Sequence, residues 1–323
     1  MSFYQNKKVL VTGGTGFIGS HLVEELVNQK AKVTVASLQL PSQARFINHL
    51  KSVNIIKADL KETKDALRVV NHQDYVFHLA AQVAGIQYNN THPATLFYNN
   101  VLPAINLIEA AKQKNIKRTL IVSSACVYSR HCSIPTPESE GFNKEPEPTN
   151  YGYGWSKRFS EILAKVYHQE FGLKVGVIRP YNVYGPRDNF GPDSHVIPAL
   201  IKRIQAGENP VTVWGDGSPT RSFIYVTDVV RGMMLALEKY PKPDPINLGT
   251  TEEISIKNLV KLIIKLSNKD CKIKFDSKKP NGQPRRNCDN RKAKKLLKFE
   301  AKIKLKQGLP KVIKYYCQHV QKN

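Results

Sequence analysis

Apolar and polar positions follow two different periods along residues 1–180, and the two periods alternate. Short apolar runs predict β-strands at 8–12, 32–36, 53–57, 75–79, 118–123 and 174–179. Longer segments with apolar residues three and four positions apart predict helices at 20–29, 95–114 and 153–171. Strands that alternate with helices are typical of a parallel sheet covered on both faces. The pattern therefore predicts an α/β fold with a doubly wound parallel sheet.

A glycine-rich loop joins the first predicted strand to the first helix. It reads Gly-Gly-Thr-Gly-Phe-Ile-Gly at 13–19 and satisfies both G-x-G-x-x-G and G-x-x-G-x-x-G. Glycines at these spacings let a pyrophosphate approach the backbone, and the helix N-terminus stabilises its charge. We therefore expect a Rossmann dinucleotide site in which the cofactor meets Gly13, Gly16, Phe17, Ile18 and Gly19.

The end of the second strand leaves the choice between NAD and NADP open. Ser37 stands where a carboxylate would bind the ribose diol of NAD, and Arg45 is the nearest arginine that could meet a 2′-phosphate. Asp59, after the third strand, is well placed to meet the adenine edge. The expected cofactor is therefore NAD or NADP.

The pattern changes after Pro180, where proline and glycine become frequent and the strands become shorter. This change predicts a dinucleotide-binding domain at 1–180 and a smaller, mixed α/β substrate domain at 181–323. Part of 221–250 is expected to pack back on the first domain.

Composition and charge narrow the class of protein. Hydrophobic residues make up 41% of the chain, but no apolar run approaches the roughly 20 residues that span a bilayer. Residues 1–8 contain no secretory apolar segment. Five cysteines without C-x-x-C spacing favour a reducing cytoplasm and argue against a metal site. The net charge of +23 comes without an aromatic-interleaved basic strip. We therefore expect a solvated lysine-rich surface that helps to attract an anionic substrate, and no nucleic-acid or membrane partner.

Three polar residues predict a hydride-transfer centre. Tyr153 and Lys157 share one helix face at i and i+4, and Ser124 ends a central strand. A tyrosine phenol has a pKa near ~10, and a neighbouring ammonium favours its phenolate. Together the three side chains can take a proton from a carbinol while its hydride leaves for a nicotinamide.

Cys126 lies two residues after Ser124, so a thiol is predicted beside this centre. A free cysteine next to an apolar strand is usually a small buried hydrophobe. The alternative is that proton chemistry takes place where the hydride is transferred, and the residues alone leave both interpretations open.

These motifs resemble the extended short-chain dehydrogenase/reductases that act on nucleotide sugars, and the resemblance covers essentially the whole chain. It includes His-Leu-Ala-Ala at 78–81, Arg-Pro-Tyr-Asn-Val-Tyr-Gly-Pro at 179–186, Trp-Gly-Asp-Gly at 214–217 and Arg-Ser-Phe at 221–223. The resemblance implies an NAD(P)-dependent enzyme with a nucleotide-diphosphate sugar as substrate. It also implies a homodimer that pairs the helices at 95–114 and 153–171.

The resemblance also implies roles for individual residues. Besides the glycine loop, the residues expected to bind the cofactor are Asp59, Leu60, Ala80, Ala81, Asn100, Tyr153, Lys157 and Val183. Those expected to bind the substrate are Asn182, Val196, Arg203, Trp214, Arg221, Lys279 and Arg285. The arginines suit a diphosphate because guanidinium binds phosphate through two parallel hydrogen bonds. Trp214 fits a core position as well as a pocket.

Within the family, the segments 188–190, 194–200 and 275–285 are similar to GDP-L-fucose synthase, and GDP-mannose 3,5-epimerase has a similar Ser-Ala-Cys stretch. The resemblance implies that Cys126 and His195 exchange protons at C3 and C5 while C4 is reduced, with a GDP-sugar as the favoured substrate. A thiol with a pKa near ~8.5 and an imidazole near ~6.5 can each move a proton at neutral pH. Ser124, Tyr153 and Lys157 would handle the C4 oxygen.

Two other functions remain open from the sequence. The regular glycine loop looks like the 4-epimerase and dehydratase branch, but Ala125-Cys126 replaces the Asp-Glu pair that a 4,6-dehydratase needs. An NAD-dependent 4-epimerase would leave Cys126 and His195 dispensable. A non-catalytic NAD(P)-binding regulator is the other alternative, and the intact Tyr153 and Lys157 count against it.

Overall fold

A computed structural model describes residues 2–279 and 283–321. The strands are β1 Lys8–Thr12, β2 Lys32–Ser37, β3 Asn54–Lys57, β4 Tyr75–His78, β5 Arg118–Val122, β6 Val175–Pro180, β7 Val183–Tyr184, β8 Val211–Trp214, β9 Thr220–Ser222, β10 Ile224–Tyr225, β11 Ile246–Leu248, β12 Glu253–Ser255, β13 Ile273–Asp276 and β14 Arg285–Arg286. The helices are α1 Phe17–Asn28, α2 Thr63–Val70, α3 Ile86–Thr91, α4 Pro93–Gln113, α5 Tyr151–Phe171, α6 Val196–Gln205, α7 Val226–Lys239, α8 Ile256–Leu266, α9 Arg291–Leu297 and α10 Leu305–His319. Pro280 and Gly282, in the segment that resembles GDP-L-fucose synthase, lie outside the described residues, as do Met1, Lys322 and Asn323.

Seven strands form one sheet in the order β3-β2-β1-β4-β5-β6-β11, and every neighbouring pair is parallel. The predicted doubly wound parallel sheet is therefore confirmed. All six strands predicted from the apolar runs are present within one residue at each end. Five of them are buried along most of their length, whereas the edge strand β3 is only partly buried. The first helix begins at Phe17, three residues before its predicted start, because the last turn of the glycine loop is already helical.

The two faces of the sheet bury alternate residues of the same strands. Val9 and Val11 of β1 pack with α1 and with Met233 of α7 on one face. Leu10, between them, packs on the other face with Ala66 of α2 and Leu107 of α4. This alternation follows from the period of two in an extended chain.

Residues after Pro180 contribute both to the seven-stranded sheet and to a second hydrophobic core. β11 adds the seventh strand beside β6, and α7 packs on the same sheet. A second core gathers Ile201 of α6, Leu259 of α8 and Val312 of α10 against β8 and β13. The boundary at 180 stays a prediction.

The strand order reverses between β1 and β4, where the chain crosses from one side of the sheet to the other. Such a switch point opens a crevice at the carboxyl ends of the strands, where ligands of doubly wound sheets bind. The glycine loop follows β1, and residues 79–85 follow β4, so both border this crevice. Among the described residues, no helix is long and apolar enough to cross a membrane.

Candidate active site

The glycine loop is shaped by close backbone contacts. Gly13 has a φ of +70°, and a Cβ there would lie 2.9 Å from the amide nitrogen of Ala80. A Cβ on Gly19 would lie 2.2 Å from the carbonyl oxygen of Gly13. Helix α1 then begins without a side-chain cap, so its first N–H groups remain available to an anion. The loop therefore fits the pyrophosphate of a dinucleotide.

Hydrogen bonds hold the segment after β4, which borders the crevice together with the glycine loop. The Ala80 amide donates to Thr12 Oγ1 at 3.1 Å, which joins the segment after β4 to β1. Thr12 Oγ1 also lies 2.9 Å from His78 Nδ1, and burial lowers the pKa of His78 to about 3, with the charge of Lys157 adding to the effect. His78 is therefore neutral and structural. The buried Asn100 side chain accepts from the Gln82 amide at 2.9 Å, so it holds the backbone of this segment.

Ser37 and Asp59, two residues of the predicted cofactor site, lie at the carboxyl ends of β2 and β3. The hydroxyl of Ser37 lies 2.9 Å from Thr15 Oγ1 and accepts a hydrogen bond from the Gln39 amide at 3.1 Å. Asp59 Oδ1 accepts from the Lys61 amide at 3.0 Å, and its side chain is partly exposed at the carboxyl end of β3. Leu60, next to it, is buried.

Lys157 lies in the interior, with only 6% of its surface exposed. Its Nζ donates to the carbonyl oxygen of Val122 at 2.9 Å and lies 5.5 Å from the centre of the Tyr153 ring. Burial lowers the pKa of Lys157 to about 8, although Cys126 and Glu161 oppose the shift. Burial also raises the pKa of Tyr153, and its hydrogen bond with Ser124 acts in the opposite direction. The structure therefore brings the predicted Ser, Tyr and Lys together.

Cys126 belongs to a short 3₁₀ turn at Ala125–Val127 that begins directly after Ser124. Ser124 Oγ caps this turn by accepting a hydrogen bond from the Cys126 amide at 3.1 Å. The thiol lies close enough to Tyr153 and Lys157 to raise the pKa of each. Cys126 is half-buried, so it differs from the fully buried cysteine that packing alone would explain.

A buried ion pair lies beneath this centre, and the sequence did not reveal it. Glu161 Oε2 accepts from Arg179 at 2.6 Å, and Glu161 Oε1 accepts from the Ser123 hydroxyl at 2.5 Å. Both side chains of the ion pair are almost fully buried. The position of Glu161, four residues after Lys157 on α5, was the available signal, because i and i+4 share a helix face.

His195 lies directly before α6, with 64% of its side chain exposed. Its Nδ1 is 4.0 Å from Oδ1 of the buried Asp188, and this carboxylate raises the pKa of His195 against an opposing effect of desolvation. The neighbouring Val196 is half-buried at the start of α6.

Two arginines stand side by side in the three-stranded sheet β12-β9-β14. Arg286 pairs with Arg221 across the parallel strands β14 and β9, which places both side chains on one face. Burial, and then the charge of Arg286, lower the pKa of Arg221 to about 10. Two like charges held together form a site for an anion, and the sequence analysis did not include Arg286.

Two other predicted substrate cations, Arg285 and Arg203, have acidic partners. Arg285 faces away from Arg286 and forms two hydrogen bonds with Glu253, at 2.8 and 2.9 Å. Arg203 donates to Glu208 at 2.6 Å. Their roles in substrate binding stay predictions, although these ion pairs give both residues a structural task.

Trp214 ends β8 with 62% of its surface exposed, which removes the alternative of a core position. The ammonium of Lys279 lies 5.5 Å from the centre of its ring. Asn182 has a φ of +28° and donates to the carbonyl oxygen of Ser222 at 2.8 Å, which ties the segment before β7 to β9. Val183 of β7 is half-buried between the two cores.

The chain is similar to known proteins over nearly its whole length. A profile of the NAD dependent epimerase/dehydratase family matches residues 9–249. A dTDP-4-dehydro-6-deoxy-D-allose reductase from Streptomyces bikiniensis is 31% identical, over 98% of each chain. GDP-L-fucose synthase 1 from Arabidopsis thaliana is 31% identical, over 98% of this chain and 95% of its own. The structure of a UDP-glucose 4-epimerase from Thermotoga maritima, with UDP-glucose, superposes with a TM-score of 0.88 at 29% identity, over 96% of this chain and 98% of that one.

Proposed function

This chain belongs to the NAD dependent epimerase/dehydratase family and is an enzyme, and we propose that it is an epimerase-reductase of nucleotide-diphosphate 4-keto sugars. In this proposal it transfers a hydride at C4 and exchanges protons at C3 and C5. The observation that carries the proposal is the half-buried thiol of Cys126 beside Tyr153 and Lys157. Because the chain is an enzyme of this family, the alternative of a non-catalytic regulator is excluded.

The C4 oxygen is handled by Ser124, Tyr153 and Lys157. The Ser124 hydroxyl and the Tyr153 phenol hydrogen-bond this oxygen, and Tyr153 donates its proton as C4 is reduced. The ammonium of Lys157 stabilises the phenolate that results. A bound NAD or NADP, held by the glycine loop, supplies the hydride chemistry.

The protons at C3 and C5 are acidified by the ketone at C4. Removal of either proton gives an enolate, whose oxygen Ser124 and Tyr153 stabilise. Inversion needs a base on one face of the carbon and an acid on the other. The thiol of Cys126 and the imidazole of His195 come from different parts of the fold and meet this need.

The nucleotide diphosphate is assigned to the pair Arg221 and Arg286. Charge-assisted hydrogen bonds from two adjacent guanidinium groups match the oxygens of a diphosphate. The exposed ring of Trp214, with Lys279 beside it, offers a flat surface to a base or a sugar. We propose a GDP-sugar as the substrate because the segments 188–190 and 194–200 are similar to GDP-L-fucose synthase, to which the chain is also 31% identical over 98% of its length.

A 4-epimerase without chemistry at C3 and C5 is the second candidate, and the similarity to the UDP-glucose 4-epimerase structure favours it. The two functions differ in solvent exchange. Turnover of GDP-linked 4-keto sugars in deuterated water, followed by NMR, should place deuterium at C3 and C5 of the product. This incorporation should be lost in Cys126→Ser and His195→Asn.

Cys132→Ser is the matched control, because Cys132 is another half-buried free cysteine on the segment after β5. Its thiol lies 3.3 Å from Thr136 Oγ1 and has no place in the proposed mechanism. This variant should keep the incorporation. Turnover without deuterium at either carbon would refute the proton exchange and leave hydride transfer at C4 alone.

A further inference from the structure

The segment between β7 and α6 turns back so that residues 188 and 195 meet. Asn189 Oδ1 accepts from the Gly191 amide at 2.8 Å, and the Gly191 carbonyl accepts from the Ser194 amide at 3.3 Å. Phe190 is buried and packs 5.0 Å from the ring of Tyr316 on α10. These contacts hold the position of both ends of the segment.

Asp188 within this segment has an incompletely satisfied carboxylate. The residue is 7% exposed, and its Oδ1 accepts from the Asn189 amide at 2.7 Å. Its Oδ2 is buried without a hydrogen-bond partner among the described residues. An ionised carboxylate in this state is costly unless a cation or donor completes it.

His195 is the charged donor that comes within 4.0 Å of the Asp188 carboxylate. The neighbouring Arg187 directs its NH2 to Glu24 on α1, at 2.6 Å, and its buried NH1 has no hydrogen-bond partner among the described residues. The carboxylate of Asp193 lies against the backbone at Gly85, where an added Cβ would be 3.4 Å from its Oδ1. His195 Nδ1 is 4.0 Å from Asp188 Oδ1, the oxygen that already accepts from the Asn189 amide, so a rotation of the exposed imidazole is needed to bring Nδ1–H within hydrogen-bond distance of the carboxylate.

We propose that Asp188 is a positioning residue for His195, accepting a hydrogen bond from Nδ1–H so that Nε2 faces the sugar. The inference rests on the proposed function of His195 in proton exchange. In the forward step the Nε2–H bond breaks and a C–H bond forms at the enolate carbon. The Nε2 electron pair stays on the ring, the imidazolium becomes neutral, and the enolate becomes a ketone. Nδ1 keeps its proton throughout and donates it in a hydrogen bond to Asp188.

The pairing can be tested without turnover, by NMR titration of His195 with its signals assigned from His195→Asn. In the intact enzyme the pKa of His195 should lie above 6.5, and the neutral ring should carry its proton on Nδ1. Asp188→Asn should lower this pKa, whereas Asp193→Asn on the same segment should leave it unchanged. If the neutral ring of His195 in the unaltered enzyme carries its proton on Nε2, the proposal is overturned. This measurement requires no variant of Asp188. An unchanged titration in Asp188→Asn overturns the proposal as well.

A second measurement addresses catalysis. Asp188→Asn should slow deuterium incorporation at both C3 and C5 about tenfold or more, because His195 acts at each carbon and removing a carboxylate that orients a histidine has an effect of at least this size. Asp193→Asn should leave the incorporation unchanged. If the titration shift is present but the unaltered enzyme shows no incorporation at all, the proposed function fails and the contact between Asp188 and His195 stands. Incorporation that is as fast in Asp188→Asn as in the unaltered enzyme overturns the positioning role.

Discussion

The ammonium of Lys157 donates a hydrogen bond to the carbonyl oxygen of Val122, 2.9 Å away in the interior. The last residue of β5 therefore anchors the lysine of α5 that faces Tyr153. Because Ser124 follows two residues later, one strand end sets the positions of both groups that act on the tyrosine.

The burial of Lys157 predicts that a rise in pH lowers activity and increases stability. The pKa of Lys157 is lowered from 10.5 to about 8, so we expect kcat/KM to fall as pH rises through about 8, when the ammonium is lost. Between about 8 and 10.5 the unfolded chain binds this proton more tightly than the native one. The contribution of Lys157 to the free energy of unfolding therefore rises across that range.

Activity and urea unfolding measured over the same pH range check both effects. Lys157→Met, which keeps the length and loses the charge, should remove the rise in unfolding free energy. A rise that persists unchanged in this variant contradicts the assignment to Lys157.

Arg286 is predicted to bind the substrate more strongly than Arg285. Arg286→Gln should raise the KM for a nucleotide sugar about tenfold to a hundredfold, because a hydrogen bond to a charged group is worth about 1.5–3 kcal/mol. Its kcat should change little, since the diphosphate is remote from C4. Arg285→Gln is the matched control. Equal increases in KM for the two variants would contradict the assignment of the diphosphate to the face that carries Arg221.

The different surroundings of Arg285 and Arg286 could not be predicted from the sequence. The glycine loop and the pair Tyr153 and Lys157 were predictable because local spacing determines which groups share a face. The pairing of β14 with β9 determines which of the two adjacent arginines faces the site. This pairing places Arg286 beside Arg221, which lies 65 residues earlier in the chain. The exposure of Trp214 and the approach of Asp188 to His195 depend in the same way on packing that no local pattern contains.

The two helices α4 and α5 are predicted to form a dimer interface. Phe97 and Tyr98 on α4 are 38% and 57% exposed, and Ile162 and Val166 on α5 are 47% and 45% exposed. Ile162 and Val166 are four residues apart and share a helix face. Because α4 and α5 pack against each other, exposed apolar side chains on the two helices favour association.

Ile162→Glu should therefore convert a dimer into a monomer in sedimentation or light-scattering measurements. Lys261→Glu, an exposed change on α8 and away from both helices, should leave the mass unchanged. A monomeric unaltered protein at micromolar concentration would contradict the interface.

The buried pair Glu161 and Arg179 is predicted to be essential for stability. Glu161→Gln removes the charge that compensates Arg179, whose side chain is 1% exposed. Breaking a buried pair by removing one partner costs about 3–5 kcal/mol, because the remaining charge is left without compensation. Urea unfolding should show a loss of this size. Glu300→Gln is the control, because Glu300 pairs with Lys294 at the surface, where both side chains are more than half exposed. An exposed pair contributes about 0–1 kcal/mol, so similar losses for the two variants would show that Arg179 finds another partner when Glu161 is neutral.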